Sequence, residues 1–197
     1  AFNVLARCGI EPGQRVAIVG IGFMGAVLTA LCRRAGAEVI AISRRRSSLK
    51  EAERMGARAS VPMDDHARVI DRVDELTRGA LCDVVIECAG AQWPLDLSSA
   101  ITRVRGRLVI AGDHQDGPRQ VDMQQWSWRG LDVVNAHERD DALQLAGMRA
   151  AVDAVAAGEL DPFGLLTHAF SLEELDAAFE TLLARPEGFV KAVVCHE

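Results

Sequence analysis

The stretch that most constrains this chain is Gly20-Ile21-Gly22-Phe23-Met24-Gly25, a G-x-G-x-x-G pattern. It sits between the apolar run Val16-Ala17-Ile18-Val19 and a segment carrying Val27, Leu28, Leu31 and Cys32 at helical spacing. A strand that turns at once into a helix needs each of these glycines. Gly20 permits the tight turn, Gly22 leaves no side chain where a phosphate must approach, and Gly25 lets the helix close on the sheet. The first amides of that helix, those of Phe23, Met24 and Gly25, lack intrahelical partners and carry partial positive charge, which suits a pyrophosphate. Glycines also gather in purely structural turns; the flanking strand and helix supply the context that favours dinucleotide binding.

The rest of the chain repeats the alternation. Apolar strand-length runs are predicted at residues 15–19, 38–42, 59–61, 83–87, 107–111 and 131–135. Between them lie a helix over 23–35 stopped by Gly36, one over 47–55 stopped by Gly56, and an amphipathic segment with Val69, Ile70, Val73 and Leu76. Pro94 sits where a further helix can begin. This pattern predicts an α/β fold: a Rossmann, doubly wound, six-stranded parallel sheet of order 3-2-1-4-5-6 with a C-terminal helix–strand extension. Trp126 and Trp128, two apart beside the sixth strand, are expected to share one face, buried in the core or at a subunit interface. A helix over 141–157 follows. Ser171 with Glu174 reads as a capping box opening a helix with Leu172, Leu175, Phe179 and Leu182 on one face, and a strand over 189–195 closes the chain. Asp161, Pro162 and Gly164 mark a junction, giving a dinucleotide-binding domain over 1–160 and a C-terminal segment over 161–197.

The end of the second strand bears on which nucleotide is held. A site for NAD normally places an acid there, to accept hydrogen bonds from the adenosine ribose. Here the strand ends in Ser43, followed by Arg44, Arg45 and Arg46. Without the acid a 2′-phosphate is not repelled, and Arg44 and Arg45 can give it charge-assisted hydrogen bonds, so Ser43, Arg44 and Arg45 read as an NADP pocket. A basic surface loop is the alternative. The missing acid also weighs against a methyltransferase, which usually needs it for the same ribose.

Composition narrows the partners. With 22 basic and 28 acidic residues the formal charge is −6, and no basic surface large enough for nucleic acid or anionic lipid follows from it. No apolar run is long enough to span a membrane and the N-terminus has no signal-peptide order, so a cytoplasmic setting is expected. Five cysteines without a C-x-x-C pair suit reduced thiols, and the scattered histidines predict no metal site made by this chain alone.

Several stretches together resemble the cofactor-binding domain and C-terminal segment of the medium-chain, zinc-type alcohol dehydrogenases and reductases. They are the run over 11–25, Asp83-Val-Val-Ile-Glu-Cys-Ala-Gly90, Gly106-Arg-Leu-Val-Ile-Ala-Gly112, Leu166-Thr-His168 and Phe189-Val-Lys-Ala-Val-Val194. The resemblance implies that Ala89 and Gly90 wall the adenosine and nicotinamide riboses. It implies that Ala111 and Gly112 lie near the nicotinamide, and that Lys191 reaches the cofactor phosphates. An exposed lysine on an edge strand is the other reading of Lys191. Asn135 either faces the nicotinamide edge or is a turn residue. His168 reads as a structural histidine, and the adjacent His137 and Glu138 as surface polar residues rather than ligands.

Against that family the sequence lacks the N-terminal domain with the zinc ligands, proton relay and most of the substrate pocket. Either the catalytic domain is absent by nature or the chain is part of a longer enzyme. The second is expected, because the C-terminal helix and residues 189–195 are the parts that pack onto that domain in the family, with zinc supplied only by residues outside this chain and no catalytic residue assigned within it. The implied reaction is hydride transfer between NADP(H) and a secondary alcohol or polyol and its ketone, in an enzyme expected to form homo-oligomers. A zinc-independent quinone or enoyl reductase and a non-catalytic NADP(H)-binding module are the alternatives.

Overall fold

A computed structural model describes residues 1–196; Glu197, the end of the predicted C-terminal segment, lies outside the described residues. The chain opens with α1 (Phe2–Cys8), then β1 (Arg15–Val19), α2 (Phe23–Arg34), β2 (Glu38–Ser43), α3 (Arg46–Arg54), β3 (Ala59–Pro62), α4 (His66–Thr77) and β4 (Cys82–Glu87). It continues through α5 (Gln92–Ile101), β5 (Thr102–Ile110), α6 (Met123–Arg129), β6 (Asp132–Asn135) and α7 (Asp141–Ala156), and ends with β7 (Leu166–Phe170), α8 (Leu175–Ala184) and β8 (Lys191–Val194). The sheet has six parallel strands in the order β3-β2-β1-β4-β5-β6, as the sequence predicts.

Helices cover both faces of this sheet, so its central strands are buried on both sides and read as continuous apolar runs rather than alternating ones. Successive residues feed opposite layers. Val16 and Ile18 of β1, Val39 and Ala41 of β2, and Val84 and Ile86 of β4 join α1, α2 and α7 in one core. Ala17 and Val19, Ile40 and Ile42, and Val85 join α4 and α5 in the other. Asp65 caps α4 by accepting from the Arg68 amide at 2.9 Å. Burial pushes the Cys8, Cys32 and Cys82 thiols up to about 12, which makes them core hydrophobes and not nucleophiles.

An ionic clamp fixes the start of β1 against β4. Arg15 donates to Asp83 Oδ2 from its amide (2.8 Å) and its Nε (3.1 Å), and Arg103 Nε donates to Oδ1 at 2.7 Å. Burial alone would raise the Asp83 carboxyl, but the hydrogen bonds from Arg15 and Arg103 outweigh it and hold the group at about 2. An Asp83→Asn change is expected to cost about 2 kcal/mol at neutral pH. Because the folded carboxyl lies below its ordinary value, this contribution is complete above roughly pH 4 and is lost as pH falls towards the folded value. Urea unfolding of parent and variant from neutral to acid pH checks it, with the gap closing at the acid end.

Three expectations are corrected and one strand is added. Trp126 and Trp128 do not share a buried strand face. They lie on α6, which Asp122 caps by accepting from Gln125 N at 2.9 Å and Gly130 ends in a left-handed turn. Two residues apart on a helix point nearly oppositely, so Trp126 packs on the second core while Trp128 is 90% exposed. The fifth strand starts at Thr102 rather than 107, with a register break against β4 and Arg105 at φ 55° inside it. The family-like stretch at Leu166 is itself a strand, β7, pairing in parallel with β8 in a separate two-stranded sheet. The closing strand is only Lys191–Val194. The capping box at Ser171 and Glu174 forms, with the Ser171 amide donating to Glu174 Oε2 at 2.9 Å, although it opens a 3-10 turn before α8 begins.

Candidate dinucleotide-binding site

Gly20 leaves β1 at φ 100°, a conformation that favours glycine, and its amide donates to Ile42 O at 2.9 Å, tying the turn to the end of β2. A Cβ there would meet the Ala89 amide nitrogen at 2.9 Å. A Cβ on Gly25 would strike the Gly20 carbonyl oxygen, so only glycine lets α2 sit this close to the turn. Gly22 is different. Nothing lies within 4 Å of where its Cβ would be, and it is the N-cap of α2 without a side-chain cap. The amides of Phe23, Met24 and Gly25 take no acceptor among the described residues and stand beside this open space, at the positive end of a helix that has no acidic residue in its first turn. Phe23 and Met24 turn their side chains to the first core.

The turns after β4 and β5 close on this mouth. Ala111 N and Gly112 N both donate to Glu87 O, at 2.9 and 2.8 Å. Gly90 has φ 72°, and a Cβ on Gly112 would collide with its amide nitrogen. Gly20, Ala89, Gly90, Ala111 and Gly112 are thus gathered at the carboxyl edge of the sheet, beside the reversal of strand order between β1 and β4, where ligands of open α/β sheets bind.

At the end of β2 Ser43 is buried, Arg44 is exposed and Arg45 is half-buried. Arg45 does not simply face outward: its guanidinium donates to the Phe189 carbonyl oxygen at 2.7 Å. Burial, then the nearby Arg185, lowers the Arg45 pKa. Phe189 is itself buried and its ring lies tilted against that of His168, with centroids 5.1 Å apart, so His168, with Nδ1 2.9 Å from Thr167 Oγ1, has a structural place. Lys191 opens β8 with its side chain exposed. Asn135 accepts from the His137 amide at 3.2 Å, a turn role, and Glu138 faces Arg7 at 3.8 Å.

Sequence reasoning assigned no role to three side chains beside the mouth. Glu87, wholly buried at the end of β4, accepts from Ala89 N (2.7 Å) and Gly90 N (2.8 Å) and meets His114, which is linked to Arg119. The available signal was an acid closing the apolar run Val84-Val85-Ile86. An apolar cavity of about 290 Å³ between α1, α2 and α7 is a separate feature whose lining side chains include no charged one.

A nicotinamide dinucleotide fits this arrangement, since the space over Gly22 would be filled by any side chain and faces unpartnered amides. A zinc ion does not: among the described residues no three His, Cys, Asp or Glu side chains come together as a metal-holding group. No helix of the described residues is long and apolar enough to cross a membrane.

Known proteins show the same architecture. The 2-dehydro-3-deoxy-L-galactonate 5-dehydrogenase of Pseudoalteromonas atlantica is 27% identical over 100% of this chain and 55% of its own length. The sorbitol dehydrogenase of Gallus gallus is 28% identical, over 98% of this chain and 53% of its own length. A zinc dependent alcohol dehydrogenase 2 from Streptococcus pneumonia shares the fold, with TM-score 0.88 at 23% identity, over 100% of this chain and 56% of that one. A Sinorhizobium meliloti 1021 protein bound to NADP, assigned as a zinc-binding dehydrogenase, gives TM-score 0.81 at 28% identity, over 98% and 56%. The chain spans about half the length of the curated relatives it matches. The model of the zinc-binding dehydrogenase family matches residues 20–148, and the chain belongs to that family.

Proposed function

We propose that this chain holds NADP(H) in an enzyme that transfers a hydride between the nicotinamide and a secondary alcohol or polyol and its ketone. The observation that carries this reading is the open space over Gly22 beside the unpartnered amides of α2, with basic side chains at the end of β2. The bound nicotinamide supplies or accepts the hydride. The chain's own residues bind and orient it. The amides of Phe23, Met24 and Gly25 take the pyrophosphate, and Gly20 and Gly25 let strand and helix approach closely enough to present them. Ser43, Arg44 and Arg45 surround the 2′-phosphate, Ala89 and Gly90 wall the riboses, and Ala111 and Gly112 flank the nicotinamide. Lys191 adds a cation from the C-terminal sheet.

The NADP-bound Sinorhizobium protein supports the choice of nucleotide, and the named sorbitol and galactonate relatives support a polyol-like substrate. In this reading residues 1–160 hold the nucleotide and residues 161–197 belong to the domain that completes the substrate pocket, with any zinc held by residues outside this chain. The enzyme is read as cytoplasmic and oligomeric, and the apolar face that Leu175, Phe179, Leu182 and Leu183 of α8 leave, each at least 40% exposed, suits packing against the remainder of that domain.

Titration calorimetry with NADPH and NADH side by side tests the reading. NADPH is expected to bind at least about tenfold more tightly, the effect of one well-placed charge-assisted hydrogen bond. Equal affinities, or tighter NADH, would overturn the NADP assignment, and no binding of either would overturn the oxidoreductase role.

A further inference from the structure

Behind Ala89 and Gly90 lies a chain of three polar side chains that no step above uses. Glu87 is wholly buried, and the side chains of His114 and Arg119 are 17% and 15% exposed. The Glu87 Oε1 atom accepts the Ala89 and Gly90 amides, and Oε2 meets His114 Nε2 at 3.1 Å. On the other side of the ring Arg119 Nε donates to Nδ1 at 3.0 Å. A second guanidinium nitrogen of Arg119 donates to Gly90 O at 2.9 Å and also pairs with Asp116.

These contacts fix the ring's state. A guanidinium can only donate, so Nδ1 must offer its lone pair, and the single ring proton sits on Nε2 and is donated to Glu87. Arg119 is the permanently charged member of the chain, and it reaches the buried Glu87 carboxyl through the ring. The space admits no slack. A Cβ on Gly112 would come within 2.5 Å of Glu87 Oε2, and one on Gly90 would collide with the Asp113 carbonyl oxygen.

We propose that Glu87, His114 and Arg119 form a relay that sets the wall for the nicotinamide half of the cofactor, with His114 as a positioning residue. The proposal rests on the NADP(H) reading above. The relay grips Gly90 from both its amide and its carbonyl, and through Glu87 it seats the 89–90 turn against Gly112. The Gly22 mouth and the arginines after β2 lie outside it. The residue the relay holds from both sides is Gly90, which abuts Gly112 on the nicotinamide side, so loss of the relay should loosen the nicotinamide end more than the adenosine end.

The experiment compares NADPH with 2′,5′-ADP, which keeps the adenosine half and lacks the nicotinamide half, on the parent chain, H114L and H114Q, together with the melting temperature of each. H114L is expected to weaken NADPH about tenfold while changing 2′,5′-ADP less than about twofold. H114Q, whose amide can donate to Glu87 and accept from Arg119, is expected to restore most of the NADPH affinity. If H114L does not fold, R119Q carries the same comparison. A loss shared equally by both ligands, no loss of either, or no rescue by H114Q overturns the relay. Failure of the parent chain to bind either ligand instead overturns the NADP(H) reading, and the relay with it.

Discussion

A Gly22→Asp variant is expected to melt close to the parent temperature and yet to bind NADPH about 100-fold more weakly, a loss of roughly 3 kcal/mol. Two properties of the site separate these effects. Gly22 has φ −102° and ψ −159°, extended backbone that any residue adopts, and no neighbour lies within 4 Å of its Cβ direction. The folded chain therefore accepts a side chain there without strain, and an aspartate at the N-cap of α2 is if anything a better cap than glycine. The same carboxylate occupies the volume and the amides meant for the pyrophosphate and sets a negative charge against it. Calorimetry and thermal denaturation of the one variant read both halves of the prediction. Unaltered NADPH affinity would mean that the nucleotide does not lie on this turn. Gly25→Ala is the opposite case, because its methyl group meets the Gly20 carbonyl and the fold itself must give.

An Arg44→Ala variant is expected to weaken NADPH about 30-fold and NADH hardly at all, a difference of about 2 kcal/mol from a lost charge-assisted hydrogen bond to phosphate. Arg44 is exposed and free to turn towards a ligand, whereas Arg45 already spends a donor on the Phe189 carbonyl. Replacing Arg45 should thus cost NADPH less than replacing Arg44 and should also disturb the C-terminal segment. Parallel titrations with both nucleotides decide the matter, and an equal loss for NADH would show that Arg44 serves the shared part of the cofactor, not the 2′-phosphate.

What the sequence disclosed and what it hid follow from the range of the interactions. Strands β1, β2 and β4 are legible because burial on both faces writes them as unbroken apolar runs, and the first turn because its glycines answer to local geometry. Helix α6 hides in the sequence although its cap, Asp122, and its stop, Gly130, stand there, because two tryptophans at spacing two imitate a strand face. Strand β7 has no partner nearer than β8, so nothing local marks it. The Arg45–Phe189 bond joins residues 144 apart, and Glu87 meets His114 across 27. No periodicity encodes such pairs, which is why the candidate residues were found where motifs are contiguous and the polar support behind them was not.

The seating of the last segment also decides how this chain can be dissected. Leu165 belongs to the first core with no exposed surface, Val190 packs on that same core, and Phe189 presents its carbonyl to Arg45. Trimming the chain back to its six main strands would open a hole in the first core and strip a half-buried guanidinium of its acceptor in one cut. A shortened version that bound nucleotide poorly would report on that damage and say little about the mouth itself.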